Sequence, residues 1–326
     1  MFAVQDIQTN LPTLQSMYKI HFAPLQGYTE DAYRRLHQIY FGGVATYTTP
    51  FVRLEHGVVR SKDMRDVRPE FNEHVNVVPQ IIANGGGEMR ILVDYLKSLG
   101  YRRIDVNAGC PFPLQTRHGR GSGLLASPDK LRELVEVMNC NSELVFSVKM
   151  RLGLDDVNQW QSCISLINDM PLCHVTMHPR IATQQYKGEV NMEAFDEFLS
   201  VCKHPVMYNG DICSVEEINR LENRYGERLL GVMIGRGLLA RPSLAQEYIS
   251  GTKLSPDQLV MKIKQMHNAL LEHYRRIIPG EAQQLLKLRS FWDYMEPTIG
   301  RKSWKKIIKA GNMKNYLSRV EELSVV

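Results

Sequence analysis

The 326-residue sequence contains no apolar run long enough to span a bilayer, about 18 residues, and its mean hydropathy is −0.27. A transmembrane helix and a secretory leader are therefore not expected. Its six cysteines (Cys110, Cys140, Cys163, Cys173, Cys202, Cys213) include no C-x-x-C pair and no histidine at zinc-ligand spacing. That argues against a structural metal and a disulfide framework, and for a reducing compartment, the cytoplasm. Glycine-rich loops are few. Gly85-Gly86-Gly87 and Gly119-Arg120-Gly121-Ser122-Gly123 match neither the dinucleotide fingerprint nor the Walker pattern. The first is expected to open a helix, the second to form a flexible segment. Low-complexity tracts and short repeats are absent as well.

The net charge of +5 is unevenly distributed. From Gly251 onward there are 14 Lys and Arg against 7 Asp and Glu, whereas residues 1–250 carry 26 against 28. Within the basic quarter, Arg301, Lys302, Lys305, Lys306 and Lys309 recur over a few helical turns, a candidate footprint for a phosphate backbone. A solvated helix face is the plainer alternative.

Short β-branched runs, each followed by a helical pattern, fall at Ile20–Ala23, Val44–Tyr47, Val78–Ala83, Ile104–Asn107, Val145–Lys149, His174–His178, Val206–Asn209 and Gly231–Gly235. Eight such units predict an α/β protein built as a TIM (β/α)8 barrel. Strand signals cease after Arg241-Pro242, and Ser255-Pro256 opens a helical pattern interrupted at residues 278–280 and 297–300. The expected organisation is an N-terminal arm (residues 1–18), a barrel (19–250) and a smaller all-α domain of three or four helices (251–326).

Chemistry in such a barrel sits at the carboxyl ends of the strands. The fourth run stops at Asp105-Val106-Asn107-Ala108-Gly109-Cys110-Pro111, which places one thiol on a loop at the barrel mouth. Lys149 continues an alternating strand, so its ammonium would point into that mouth and require an anion or an electron-rich ring. His178 ends the sixth run. Gln80 is an amide within an apolar run and needs partners, which a heterocycle with amide-like edges could supply. The last two runs end Asn209-Gly210-Asp211 and Gly235-Arg236-Gly237, glycine-rich loops at the usual phosphate position of these barrels.

Taken in order, Ala23-Pro24-Leu25-Gln26-Gly27-Tyr28-Thr29, Gln80, Asn107-Ala108-Gly109-Cys110-Pro111, Lys149-Met150-Arg151-Leu152-Gly153, His178-Pro179-Arg180, Asn209-Gly210-Asp211 and Gly235-Arg236-Gly237 resemble the tRNA-dihydrouridine synthase family. The resemblance spans almost the whole chain. It implies a flavoenzyme that reduces specific uridines in tRNA to dihydrouridine, with FMN as cofactor and NADPH as transient electron donor. Pro24, Leu25, Gln26, Gln80, Lys149 and His178 would lie along the flavin, and Asn209, Gly210, Asp211, Gly235 and Arg236 would hold its phosphate end. Cys110 would be the proton donor, assisted by Lys149 and His178. Asn107, Arg151, Arg180 and Tyr186 would touch tRNA.

The segment Thr49-Pro50-Phe51-Val52-Arg53 resembles the bacterial C-type subfamily, which implies RNA contacts from Arg53, Lys287, Arg289 and Lys309, and the charge pattern of the basic quarter adds Lys305 and Lys306 as candidate contacts. Pro179 stands where the family usually has glycine, Pro50 where the C-type often has glutamate, and Phe112-Pro113 where small or basic residues are usual. The expected chemistry is hydride from flavin N5 to uracil C6 and a proton from Cys110 to C5. Two alternatives remain at this level: a dihydroorotate-dehydrogenase-like flavoprotein acting on a free pyrimidine, and a non-catalytic tRNA-binding barrel. A monomer is expected, without membrane association or a bound metal.

Overall fold

The computed structural model describes residues 17–323. Its strands are β1 (Lys19–Phe22), β2 (Thr46–Thr48), a small hairpin of β3 (Leu54–Glu55) and β4 (Val58–Val59), β5 (Val77–Val78), β6 (Gln80–Ile81), β7 (Arg103–Ala108), β8 (Val145–Gly153), β9 (Leu172–Ile181), β10 (Val206–Asn209) and β11 (Leu229–Ile234). Apart from the antiparallel hairpin, they form one parallel sheet in the order β5-β2-β1-β11-β10-β9-β8-β7-β6. The two ends of that order are neighbours in sequence. β5 pairs with β2 and β6 with β7, and only Pro79, which has no N–H for a ladder, separates them. The Pro79 carbonyl nonetheless accepts from Asp105 N at 2.9 Å. Counting β5 and β6 as one interrupted stave, eight parallel staves close a barrel, the (β/α)8 fold anticipated from the spacing of the β-branched runs.

Helices follow the staves and cover the barrel, among them Asp31–Tyr40, Gly86–Ser98, Pro128–Asn139, Gln159–Asp169, Met192–Val201 and Val215–Tyr225. Successive side chains of a strand face opposite sides, and here the two sides differ sharply in chemistry. Phe146, Val148, Met150 and Leu152 of β8 and Val175 and Met177 of β9 belong to the apolar core. Their alternates Ser147, Lys149 and Arg151, and His174, Thr176, His178 and Arg180, turn to the barrel axis. Register sets these two polar rows side by side, Ser147 beside His174 and Arg151 beside His178. The inner floor is polar too: His21 and His174 meet edge to face at 5.6 Å between ring centroids, and burial lowers their pKa values to about 3 and about 4.

The C-terminal region contains five helical segments, Pro256–Ile277, Glu281–Ser290, Glu296–Ile299, Arg301–Ile308 and Met313–Glu321, more than the three or four expected. The expected break at 297–300 is largely a short helix of its own, and a further division falls at Gly311-Asn312, where the Asn312 side chain caps the last helix by accepting from Asn315 N. Their core is aromatic: Trp292 Nε1 donates to the Tyr316 hydroxyl at 2.8 Å, and His267 Nε2 lies 2.7 Å from the same oxygen. The region docks on helix Asp31–Tyr40 and the loop before it. Lys287 Nζ pairs with Glu30 at 2.6 Å, and Tyr28 donates to Asp293 at 3.1 Å. Of the expected N-terminal arm, Met1–Ser16 lie outside the described residues. Tyr18 is buried, with its hydroxyl bonded to the Leu221 and Gly226 carbonyls.

The segment expected to be flexible, Gly119–Gly123, is instead packed. Gly121–Ala126 form a 3-10 helix with Ser122, Gly123 and Leu124 buried, and Ser122 N donates to the Cys110 carbonyl at 3.1 Å. A Cβ on Gly121 would approach the Cys110 carbonyl oxygen to 2.7 Å, so the missing side chain serves close packing.

The β1/β11 seam gives a test of closure. A Cβ on Gly231 would lie 2.1 Å from the Lys19 carbonyl oxygen, and backbone cannot move aside without breaking the ladder. Gly231→Ala is expected to lower stability by about 2 to 3 kcal/mol, the upper range for overpacking, as a reduced midpoint in urea unfolding. An unchanged midpoint would mean the seam is looser than drawn.

Candidate active site

The strand ends surround one cavity of about 1010 Å³. Loop residues Pro24, Leu25 and Gln26 after β1, Arg53 near the hairpin, Gln80, Asn107 and Cys110, Lys149 and Arg151, His178 and Tyr186, and the β10 and β11 loops all line it. Sequence-chosen residues up to 212 positions apart, Pro24 to Arg236, thus share one space.

A directed chain of hydrogen bonds runs beneath the thiol. Asp105, buried at 2% exposure, accepts from Ser147 Oγ at 2.5 Å and from Gln80 Nε2 at 2.7 Å. Gln80 Oε1 then accepts from Asn107 Nδ2 at 2.8 Å. Asn107 Oδ1 finally accepts from Cys110 N at 2.7 Å and Gly109 N at 3.0 Å. An ionised carboxylate only accepts, so Asp105 fixes which way Gln80 faces. Gln80 in turn orients Asn107, and Asn107 holds the cysteine loop. Burial raises the Asp105 pKa to about 6, against the hydrogen bonds from Gln80 and Ser147, which leaves it mainly ionised at neutral pH.

Gln80 thus finds partners within the protein in Asp105 and Asn107. Asn107 is buried and shapes the cysteine loop through its Oδ1, while one Nδ2 hydrogen stays unused and the residue still lines the cavity. Asp105 and Ser147 were not singled out in the sequence, although the period-2 alternation Asp105–Asn107 and Ser147–Lys149 marks them as inward-facing.

The thiol of Cys110 is half-buried in the cavity wall. Burial pushes its pKa up, outweighing the Phe112 backbone and the charges of Arg151 and Lys149, and it stays protonated at neutral pH. Lys149 makes no hydrogen bond or ion pair among the described residues, and burial, then the neighbouring Arg151, lowers its pKa to about 8. His178 is held well below its ordinary value by burial and then by Arg151, Lys149, Arg180 and Arg236. Its Nε2 lies 3.2 Å from Arg180 Nη1. A guanidinium cannot accept, so the neutral ring carries its proton on Nδ1.

At the far wall, Asp211 accepts from Arg236 at 2.7 Å and from Arg180 Nη1 at 3.0 Å, with a second bond to Arg180 Nη2. Arg180 also donates to the Gly188 carbonyl, and its side chain is 1% exposed. That burial corrects its expected contact with RNA: it braces the mouth from within. The Asp211 carboxylate is likewise engaged and cannot grip an anion. Its backbone can. The N–H groups of Gly210, Asp211, Gly235 and Arg236 donate no backbone hydrogen bond among the described residues, and all four residues line the cavity. Asp211 adopts a φ of +45°, which a short acidic side chain tolerates. A Cβ on Gly237 would fall 1.9 Å from the Ile212 carbonyl oxygen, so the β10 and β11 loops meet only through glycine. Free N–H groups beside Arg236 form a phosphate cradle, and Lys149 stands ready for an electron-rich ring. The donor set fits a phosphorylated, ring-bearing cofactor.

Tyr186 rises over this wall, half-exposed, with the Arg236 guanidinium 4.4 Å and the Arg151 guanidinium 5.5 Å from its ring centroid. Arg151 also donates to the Ile181 carbonyl at 3.0 Å. The expected C-terminal contacts divide into two groups. Lys287, expected as an RNA contact, bonds Glu30 and the Gly27 carbonyl, and Arg289, expected likewise, donates to the Ala310 carbonyl, so both also tie the protein internally. Lys305, Lys306 and Lys309 are exposed and form no ion pair among the described residues. Tyr294 and Pro297, unmarked in the sequence, bring the helical region into the cavity wall. No cluster of three His, Cys, Asp or Glu is placed to bind a metal among the described residues, and no described helix is long and apolar enough to cross a membrane.

A parallel barrel with a thiol, a lysine and a neutral histidine at its carboxyl rim, beside an anion cradle, defines an enzyme of the barrel oxidoreductase class. The chain belongs to the dihydrouridine synthase family, whose profile matches residues 21–323. It is 28% identical over 250 residues to a tRNA-dihydrouridine(16) synthase of Neisseria meningitidis, covering 74% of each chain. A probable tRNA-dihydrouridine synthase of Helicobacter pylori is 29% identical over 265 residues, 79% of this chain and 76% of that one. Among solved structures, the old yellow enzyme from Trypanosoma cruzi superposes with a TM-score of 0.51 at 10% identity, covering 73% of this chain and 89% of that one. A histamine dehydrogenase from Rhizobium gives 0.53 at 11% identity over 77% and 49%. These two likenesses speak to the barrel fold.

The two titrations at the site set an expected pH profile. Turnover should rise through about pH 6 as Asp105 ionises and fall through about pH 8 as Lys149 loses its proton. Asp105→Asn, which lets both amides reverse, should abolish the acid limb and lower kcat about tenfold or more with little change in KM. A retained acid limb would assign it to another group.

Proposed function

We propose that the protein reduces the C5=C6 bond of specific uridines in tRNA to 5,6-dihydrouridine, with FMN as resident cofactor and NADPH as electron donor. The observation that carries this reading is the meeting, in one cavity, of a protonated thiol, a partnerless lysine, a neutral histidine and a row of unused backbone N–H groups. Bound FMN would supply the two electrons as hydride to C6, chemistry that no side chain offers. Pro24, Leu25, Gln26, Gln80, Lys149 and His178 would line its ring system. Asn209, Gly210, Asp211, Gly235 and Arg236 would hold its phosphate end, chiefly by main chain and by the Arg236 guanidinium.

Cys110 then gives its proton to C5. Its raised pKa keeps that proton in place until it is needed, and Arg151 and Lys149 favour the thiolate left behind. Lys149, charged below about pH 8, steadies negative charge on the uracil carbonyl, while His178 offers a neutral donor at Nδ1. The target base must leave its stack to reach this depth, at a cost of a few kcal/mol. Contacts from Arg53, Arg151 and Tyr186 at the mouth and from Lys305, Lys306 and Lys309 on the helical region offset it. In this reading residues 19–250 are the catalytic barrel and 251–326 the tRNA-binding domain of a cytoplasmic monomer. The name of the Neisseria relative, with the C-type segment Thr49–Arg53, makes uridine 16 the first position to examine.

Cys110→Ala is expected to remain yellow and to bind tRNA as the parent does, while uridine reduction falls by about 10² to 10⁴-fold. Mass analysis of dihydrouridine in tRNA incubated with NADPH measures it, and full activity would refute the proton-donor role. Replacing Lys305, Lys306 and Lys309 by Gln should reduce the slope of log affinity against log salt by about 0.7 to 0.9 for each phosphate contact removed. An unaltered slope would take this helix out of the interface.

A further inference from the structure

The residues that follow the thiol stand out from the rest of the surface. Phe112 is 55% exposed and Leu114 60% exposed, two large apolar side chains within four positions of Cys110, and Phe112 lines the cavity. Pro111 and Pro113 flank Phe112. Proline fixes its own φ and restricts the residue before it, and Phe112 takes the extended conformation this demands, φ −69° and ψ 124°. Its carbonyl accepts from Gln115 N at 2.8 Å and Thr116 N at 3.1 Å. Gln115 is buried, and a Cβ on Gly123 would meet the Thr116 carbonyl at 2.7 Å, so the short helix Pro113–Thr116 sits on the 3-10 helix below it. The backbone is anchored on one side while the aromatic ring projects on the other. Holding an apolar group in water on so stiff a support stabilises nothing within the protein itself.

Charge indicates what covers it. Between Gly109 and Ser127 the sequence carries Arg117, His118 and Arg120 and no acidic residue. Arg120 is committed to Glu88, whereas Arg117 and His118 are exposed and form no ion pair among the described residues. An apolar tip beside an unpaired guanidinium and an exposed imidazole suits a polyanion with stacked rings. We infer that Phe112, supported by Leu114, is a wedge that enters the RNA stack at the place vacated by the extruded uridine, with Arg117 and His118 on the flanking phosphates. The inference rests on the proposed action on tRNA and adds how the base is kept out. Base–aromatic stacking needs only a π-face and is tolerant of sequence, and apolar wedges hold steps open in other nucleic-acid complexes. Cys110 lies two residues from Phe112, so filling the stack and presenting the proton are carried out by one rigid segment.

The test compares two substrates. FMN-loaded wild type and the Phe112→Ala/Leu114→Ala double variant are assayed with NADPH on an unmodified tRNA transcript and on a short single-stranded oligouridylate, which needs no extrusion. Both replaced side chains are exposed, so folding is spared, and Phe112→Trp serves as the conservative variant. The double variant is expected to lose about tenfold or more in kcat/KM on tRNA and less than twofold on the oligonucleotide, with Phe112→Trp close to wild type. Equal activity of wild type and double variant on tRNA overturns the wedge alone, as does an equal loss on both substrates. A wild type that reduces no uridine in tRNA overturns the proposed function, and the wedge with it.

Discussion

One carboxylate that can accept but not donate sets the polarity of the whole barrel mouth. Asp105 is buried where its ionised form is disfavoured, yet the two hydrogen bonds it receives from Gln80 and Ser147 oppose that. Because amides can present either end, a chain of Gln and Asn has no intrinsic direction. An acceptor at its root supplies one. The Cys110 main chain is thereby tied to an oxygen whose orientation is decided at a point three residues away through space. Breaking the root would leave buried polar groups facing like partners, and that costs more than the bond itself contributes.

The second constraint is excess positive charge. Lys149, Arg151, Arg180 and Arg236 crowd the rim, and among the described residues Asp211 is the one carboxylate that forms ion pairs with them. Asp211 holds Arg180 and Arg236 together, and Tyr186 covers Arg236 and Arg151 with its π-face. Much of the positive field remains directed into the cavity. Burial first, and this field second, keep His178 neutral and depress Lys149, and an anionic ligand would relieve the repulsion among the cations. Binding an anion and steadying developing negative charge would draw on that same repulsion.

The barrel was legible because eight β-branched runs recur with helical patterns between them, and the strand-end residues were legible because such a barrel gathers them at one rim. What escaped the sequence depends on partners. Gln80 and Asn107 look free in one dimension and are bonded to each other in three. Arg180 belongs to the same sequence motif as His178, yet its guanidinium turns inward to Asp211. The interruption at Pro79 divides a stave that reads as continuous, and the Gly119–Gly123 segment gave a signal for flexibility although its glycines permit close packing beneath Cys110. Charge count also misled in detail. Lys287 and Arg289 add to the basic total but serve as internal ties.

Those ties have a consequence for how the two regions of the chain cooperate. Lys287 bonds the Gly27 carbonyl and Glu30, and Asp293 receives the Tyr28 hydroxyl, so the helical region grips both sides of the β1 loop. That same loop carries Pro24, Leu25 and Gln26 into the cavity, while Tyr294 and Pro297 complete the wall from the helical side. Arg289, one turn from the aromatic pair Phe291 and Trp292, ends at the carbonyl of Ala310, just beyond the helix that bears Lys305 and Lys306. A load on the exposed lysines is therefore transmitted through a single helix to the loop at the cavity wall. The path runs through an ion pair, bonds to main chain and the Tyr28–Asp293 hydrogen bond, and coupling of this kind fixes the position of the exposed lysines relative to the cavity wall that holds the thiol.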